Sequence, residues 1–175
     1  MPGQPESLRA TELYWNQLVQ LKASTHCIRL QRNKLGRMLR HIKAVNAIAT
    51  NGGIASWLIW KDFPILWASV LAASQALSAL QPVFPIAKDH KQASELHSAL
   101  EMAYLDAEDD WEKISSGLLS VSDILSRRTK LRRLQLSVEQ RHFPEGIEFS
   151  SSILGMANAA TIDFFKSTFN QDVTS

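Results

Sequence analysis

A chain of 175 residues, 45% hydrophobic and 21% charged with a formal net charge of +2, fits one compact domain or two very small ones. Its single cysteine, Cys27, excludes an internal disulfide framework and suits a reducing compartment. The N-terminus "MPGQPESLRATELYW" has no basic segment followed by an apolar core, so a secretory signal is not expected.

Charge is segregated along the chain. Between Glu12 and Asp62 there is no acidic residue, while Lys22, Arg29, Arg32, Lys34, Arg37, Arg40, Lys43 and Lys61 fall in that interval. From Asp89 to Glu112 the balance reverses, and from Arg127 to Arg133 it turns basic again. Residues 1–43 read as a basic helical arm. Tyr14, Leu18, Leu21, Thr25, Ile28, Arg32, Leu35, Leu39 and Ile42 follow alternating steps of four and three, the spacing of a heptad seam.

Residues 44–87 hold two uncharged runs, "AVNAIATNGGIASWLIW" and "FPILWASVLAASQALSALQPVFPIA", separated by Lys61 and Asp62. As helices they reach about 25 and 37 Å, against a bilayer hydrocarbon core of roughly 30 Å. Trp57, Trp60, Phe63 and Trp67 surround the turn, the placement expected of an aromatic belt at a membrane surface. Arg37, Arg40 and Lys43 precede the first run and Lys88 and Lys91 follow the second. By the positive-inside rule both ends face the cytoplasm. Ala68, Ala72, Ala76 and Ala79 make a small-residue face on which membrane helices approach closely, so a homo-oligomer is expected. Asn46, Thr50 and Gly53 in the first run, with Ser74, Ser78 and Gln81 in the second, form polar stripes. They either line a pore or bond helix to helix. The competing reading is a soluble helical hairpin, in which Asn46, Asn51, Gln75 and Gln81 need no membrane partners.

Residues 88–142 read as a long acidic helical arm, with Leu96, Leu100, Ala103, Ala107, Trp111, Ile114, Leu118, Val121 and Leu125 on its seam. It should pair antiparallel with the basic arm as a cytoplasmic stalk. The register falters near "SRRTKLRRL", and a last helical segment runs on to about Arg141 with Ile124, Leu131, Leu134 and Val138 on its apolar side. Arg127, Arg128, Arg132 and Arg133 suit a partner protein or a neighbouring stalk helix better than nucleic acid, because no stacking aromatic is interleaved with them. In residues 143–175, Pro144 and Gly146 make a turn. A short amphipathic helix follows, with Ile153, Ala157, Ala160 and Phe164 on one face. The expected fold is all-α: a hydrophobic helical hairpin, an antiparallel helical stalk and a short C-terminal helix.

No phosphate-binding loop, dinucleotide-binding glycine pattern, HExxH or G-x-S-x-G occurs. No catalytic, cofactor or metal site is expected.

The order of a basic arm, two hydrophobic helices with a minimal turn, and an acidic helix is carried by "LGRMLRHIKAVNAIATNGGIASWLIW" and "ILWASVLAASQALSAL". In this order the chain resembles the SLATT group of two-transmembrane effectors from bacterial conflict and phage-defence systems. More loosely, it resembles the two-helix membrane effectors encoded beside retron reverse transcriptases. The resemblance covers roughly residues 10–118 and rests on architecture, without an invariant motif. It implies a non-enzymatic effector of the bacterial inner membrane that perturbs or permeabilises the bilayer. The implied partner is a sensor of the same system, such as a reverse transcriptase with its multicopy DNA or a nucleotide-signalling component. The alternative is a soluble all-α adaptor whose hairpin is a core or an oligomer interface.

Overall fold

The computed structural model describes residues 4–55, 64–80 and 85–169. Among these, five helices and no strand occur: α1 Gln4–Ala55, α2 Pro64–Leu80, α3 Ile86–Ser115, α4 Val121–His142 and α5 Ser151–Phe169. The chain divides into two compact units, Met1–Gln31 with Gln92–Ser175, and Arg32–Lys91. The division therefore falls at 31/32 within α1 and 91/92 within α3, further from the uncharged runs than residues 43/44 and 87/88.

In the larger unit, the first half of α1 lies antiparallel to α3. Tyr14 Oη donates to the Ala107 carbonyl at 3.2 Å, and Lys22 Nζ meets Glu101 Oε2 at 3.5 Å. The seam residues Tyr14, Leu18, Leu21, Thr25 and Ile28 are buried, and Leu96, Leu100, Ala103, Ala107 and Ile114 face them. Steps of three and four keep these side chains on one helical face, so two long stripes close on each other.

The arm expected over residues 88–142 is two helices. At its C-terminus α3 is stopped by Gly117 at φ 70°, a left-handed conformation that glycine adopts without a Cβ clash. Gly117 N–H donates to the Ile114 carbonyl and Leu118 N–H to the Lys113 carbonyl, both at 3.0 Å, which satisfies the last free carbonyls of the helix. Ser120 then caps α4. Its Oγ accepts from Asp123 N–H at 3.2 Å, and Asp123 Oδ2 accepts from Ser120 N–H at 3.4 Å. These reciprocal bonds occupy two otherwise free donors; the Ser120 hydroxyl, which donates to Asp123 Oδ2 at 2.6 Å, and then the Ser120 N–H hold the Asp123 carboxyl below its ordinary pKa. The break resets the heptad. Leu118 is 74% exposed, while Ile124 is 2% exposed and takes the core position expected of Leu125.

Ile124 and Leu131 anchor α4 in the core. Phe143, Ile147 and Phe149 pack against it from the connection to α5. The buried face of α5 is Ile153, Ala157, Thr161 and Phe165, one residue per turn. Ala160 and Phe164, expected on that face, are half-buried beside it. Phe165 sits in an aromatic cluster with Trp15 at 5.1 Å and Phe169 at 5.5 Å, and Trp15 also meets Trp111 at 4.7 Å. Two of the five tryptophans therefore belong to this core.

Replacing Ile124 with alanine should lower the unfolding free energy by about 2–4 kcal/mol, whereas Leu118→Ala should change it by less than about 0.5 kcal/mol. Chemical denaturation of the two variants checks this, and equal losses would restore the uninterrupted heptad.

Candidate functional site

The smaller unit, Arg32–Lys91, gathers the residues that the sequence marks for function. Its helix α2 carries no charged residue from Pro64 to Leu80. Ala68, Ala72, Ala76 and Ala79 are all exposed, as are Ile65 at 82% and Leu71 at 38%. The small-residue face is therefore open, with no other segment of the described chain laid over it.

Of the two polar stripes, one pair is joined directly. Ser74 Oγ donates to Asn46 Oδ1 at 3.1 Å, linking α2 to α1, and both residues are half-buried. This bond satisfies two polar groups within an apolar helix pair, where an unpaired amide is costly. Thr50 and Gly53 lie in α1 and Ser78 in α2, but their side-chain surroundings lie outside the described residues, as does Gln81 altogether. Of the expected membrane anchors, Trp57, Trp60 and Phe63 also lie outside, and Trp67 falls in α2 with its side chain undescribed. Arg37, Arg40 and Lys43 are exposed on α1.

One contact in this unit depends on a glycine. A Cβ on Gly36 would lie 3.0 Å from His90 Nε2, so the imidazole of His90 packs against α1 where Gly36 leaves room for it. Beyond this contact the helices part around a cavity of about 740 Å³, walled by Leu35, Leu39, Ile42, Leu77 and Ile86 and edged by Lys43, Lys88 and Asp89. The seam positions Leu35, Leu39 and Ile42 were expected to close on the opposite arm; here they line open space.

The four arginines do not form one patch. Arg127 is half-buried and paired with Asp110, which ties α4 to α3. Arg128 is half-buried, and its Nε has no hydrogen-bond partner. Arg132 and Arg133 are exposed and remain available for an external anion.

A buried polar group in the larger unit carries no simple sequence signal. The side chain of Lys22 is 9% exposed, and its ammonium lies 4.1 Å from the Tyr104 ring centroid and 4.4 Å from that of Phe164. Glu101 and the two ring faces together replace its water. The clue was a lone cation four residues beyond Leu18, on a buried face; its partners on α3 and α5 are set by tertiary contact alone. His26 is also buried, with Thr161 Oγ1 3.4 Å from Nδ1. Burial pushes its pKa down to about 4, helped by the positive charges of Arg29 and Lys22 and opposed by Glu101. Cys27 is buried, and desolvation raises its thiol pKa, so it rests protonated. Among the described residues, no group of three or more His, Cys, Asp or Glu is placed to hold a metal ion.

No protein-family model, curated protein or solved structure matches this chain.

His26 predicts a pH dependence. Its folded pKa of about 4 lies below the ordinary 6.5, so between these values the unfolded chain binds the proton and the folded protein does not. Its contribution is complete above about pH 6.5 and is lost as pH falls towards 4, amounting to about 3 kcal/mol in full. Denaturation curves across this window should flatten in His26→Gln relative to the unaltered protein. Parallel curves would mean that His26 is not buried in its neutral form.

Proposed function

We propose that this protein is a non-enzymatic membrane effector whose hydrophobic hairpin enters the bacterial inner membrane with both chain termini cytoplasmic. The observation that carries this reading is α2: an uncharged helix whose alanines, Ile65 and Leu71 are exposed. An exposed apolar patch on a monomer marks an interaction or membrane surface, and α2 interrupts its apolar surface only with Ser69, Ser74, Gln75 and Ser78.

Among the described residues, no helix is long and apolar enough to cross a membrane. The 17 residues of α2 extend about 25 Å, somewhat short of a hydrocarbon core of roughly 30 Å. Bilayers adapt to a short apolar segment by local thinning, and short segments favour oligomers. That mismatch suits a protein that perturbs the bilayer. Copies would assemble through Ala68, Ala72, Ala76 and Ala79. A sensor of the same defence system would hold or trigger the assembly by binding its resting and active arrangements with different affinity. Arg132 and Arg133 offer that sensor an exposed basic surface.

The second reading is a soluble all-α adaptor in which α2 is an interface with another protein. The absence of a sufficiently long apolar helix among the described residues favours it, as does the extensive core of the larger unit. A soluble adaptor should purify as a homogeneous species without detergent. A membrane hairpin should expose the segment between Trp57 and Trp67 to labelling from outside the cell.

Expression in bacteria should leave the chain in the membrane pellet after an alkaline carbonate wash and collapse the membrane potential on induction. Ala72→Leu with Ala76→Leu should abolish toxicity at unchanged expression. Protein recovered wholly in the soluble fraction of polarised, growing cells would overturn the effector reading. Retained killing by the double variant would remove the alanine face from the mechanism.

A further inference from the structure

The cavity in the smaller unit combines three properties. Its volume of about 740 Å³ falls in the range of small-molecule and cofactor sites. Its walls are aliphatic. Its edge carries Lys43, Lys88 and Asp89, one net positive charge. Asn46, which lines it, also bonds Ser74. From Leu35 to Asn46 the cavity follows α1 for about 16 Å, across the basic positions Arg37, Arg40 and Lys43 to the start of the uncharged run.

An aliphatic groove with a weakly cationic edge fits an amphiphile with one acyl chain inside and a single negative charge outside. The wider electrostatics agree. Between Arg32 and Lys91 stand Arg32, Lys34, Arg37, Arg40, Lys43, Lys61, Lys88 and Lys91, against only Asp62 and Asp89. Basic pockets between helices on the cytoplasmic side are the places where anionic headgroups bind. Asp89 lowers the edge charge, which suits a phosphodiester with one negative charge better than a headgroup with several.

We infer that this groove is a binding site for an anionic phospholipid of the phosphatidylglycerol type, with an acyl chain against Ile42 and Leu77 and its phosphate at Lys43 and Lys88. The inference rests on the membrane reading above, since it supplies that hairpin with a lipid it selects at its cytoplasmic edge. Bound lipid would fill space that the described chain leaves open and would neutralise cations crowded at that edge. Membrane composition would thereby regulate the effector.

The test uses the full chain with vesicles of phosphatidylcholine containing a trace of phosphatidylglycerol that bears a photoactivatable diazirine on its acyl chain. Cross-links are located by peptide mass spectrometry. The expected result is strong labelling at Ile42 and Leu77, assigned residue by residue by peptide fragmentation, because Ile65, Leu71 and Leu77 share the stretch between Lys61 and Lys88. That labelling should fall about thirtyfold in Lys43→Gln with Lys88→Gln, the effect of losing two lysine contacts near a membrane surface. Both substitutions are at the groove's edge, and circular dichroism verifies that the variant folds. Labelling of the open α2 face at Ile65 and Leu71 reports insertion separately. Labelled α2 with an unlabelled groove would overturn the lipid site and leave the membrane reading standing. A labelled groove with an unlabelled α2 would uphold the site and overturn insertion. No labelling at either place would overturn both. Equal labelling by a diazirine phosphatidylcholine, or indifference to the two lysine changes, would overturn the anionic selectivity.

Discussion

The clasp between the first half of α1 and α3 is the constraint on which the larger unit depends. Tyr14 donates to the Ala107 carbonyl, and Lys22 lies against Glu101, Tyr104 and Phe164. Together they fix the antiparallel direction and register of two helices far apart in sequence. The long apolar excursion from Arg32 to Lys91 is thus an insertion between two helices already held to each other. Loop-closure entropy grows only slowly with loop length, so a core of this kind tolerates such an insertion. Burial and the nearby carboxylate of Asp110 raise the Tyr14 phenol far above its ordinary pKa, keeping it a hydrogen-bond donor at any physiological pH.

Around the clasp, the acidic helix α3 receives charge from two directions. Lys22 reaches Glu101 from α1 and Arg127 reaches Asp110 from α4, while the His142 ring on α4 lies 3.6 Å from Glu95. Gln17, Ser24, Gln135 and Glu139 add a side-chain network between α1 and α4. Partly buried hydrogen-bonded groups of this kind contribute modest net stability but penalise alternative registers, since slippage leaves them unpaired. The aromatic cluster of Trp15, Trp111, Phe165 and Phe169 supplies the non-directional attraction that seats α5.

The smaller unit follows another logic. Its uncharged helix α2 exposes apolar side chains, and a polar contact within the unit joins Asn46 to Ser74. A soluble core would turn Ile65 and Leu71 inward; here they are exposed. Folding alone therefore leaves this unit's apolar surface uncovered, and the proposed membrane, lipid and oligomer contacts are all ways of covering it. The exposed positions of Arg37, Arg40 and Lys43 next to this surface are consistent with the same environment.

Much of the fold was legible because periodicity is a local property. The stripes of α1 and α3 could be read from Tyr14 to Ile28 and from Leu96 to Ile114, since apolar steps of three and four encode a buried helix face directly. The break at Gly117 was legible in principle, from a serine-serine-glycine stop followed by Ser120 and Asp123 at capping-box spacing. The unbroken apolar rhythm through Leu118 and Leu125 concealed it. The alanine face and the uncharged character of α2 also follow from sequence alone. Tertiary structure decided the rest, because it depends on which surfaces meet. It placed Lys22 between two rings, committed Arg127 to Asp110 instead of an external partner, bonded Asn46 to Ser74, and turned Leu35, Leu39 and Ile42 from an expected seam into the wall of a groove. The sequence by itself determined which faces are apolar and where charge collects; only the packing of helices decided which of those faces found a partner and which stayed open.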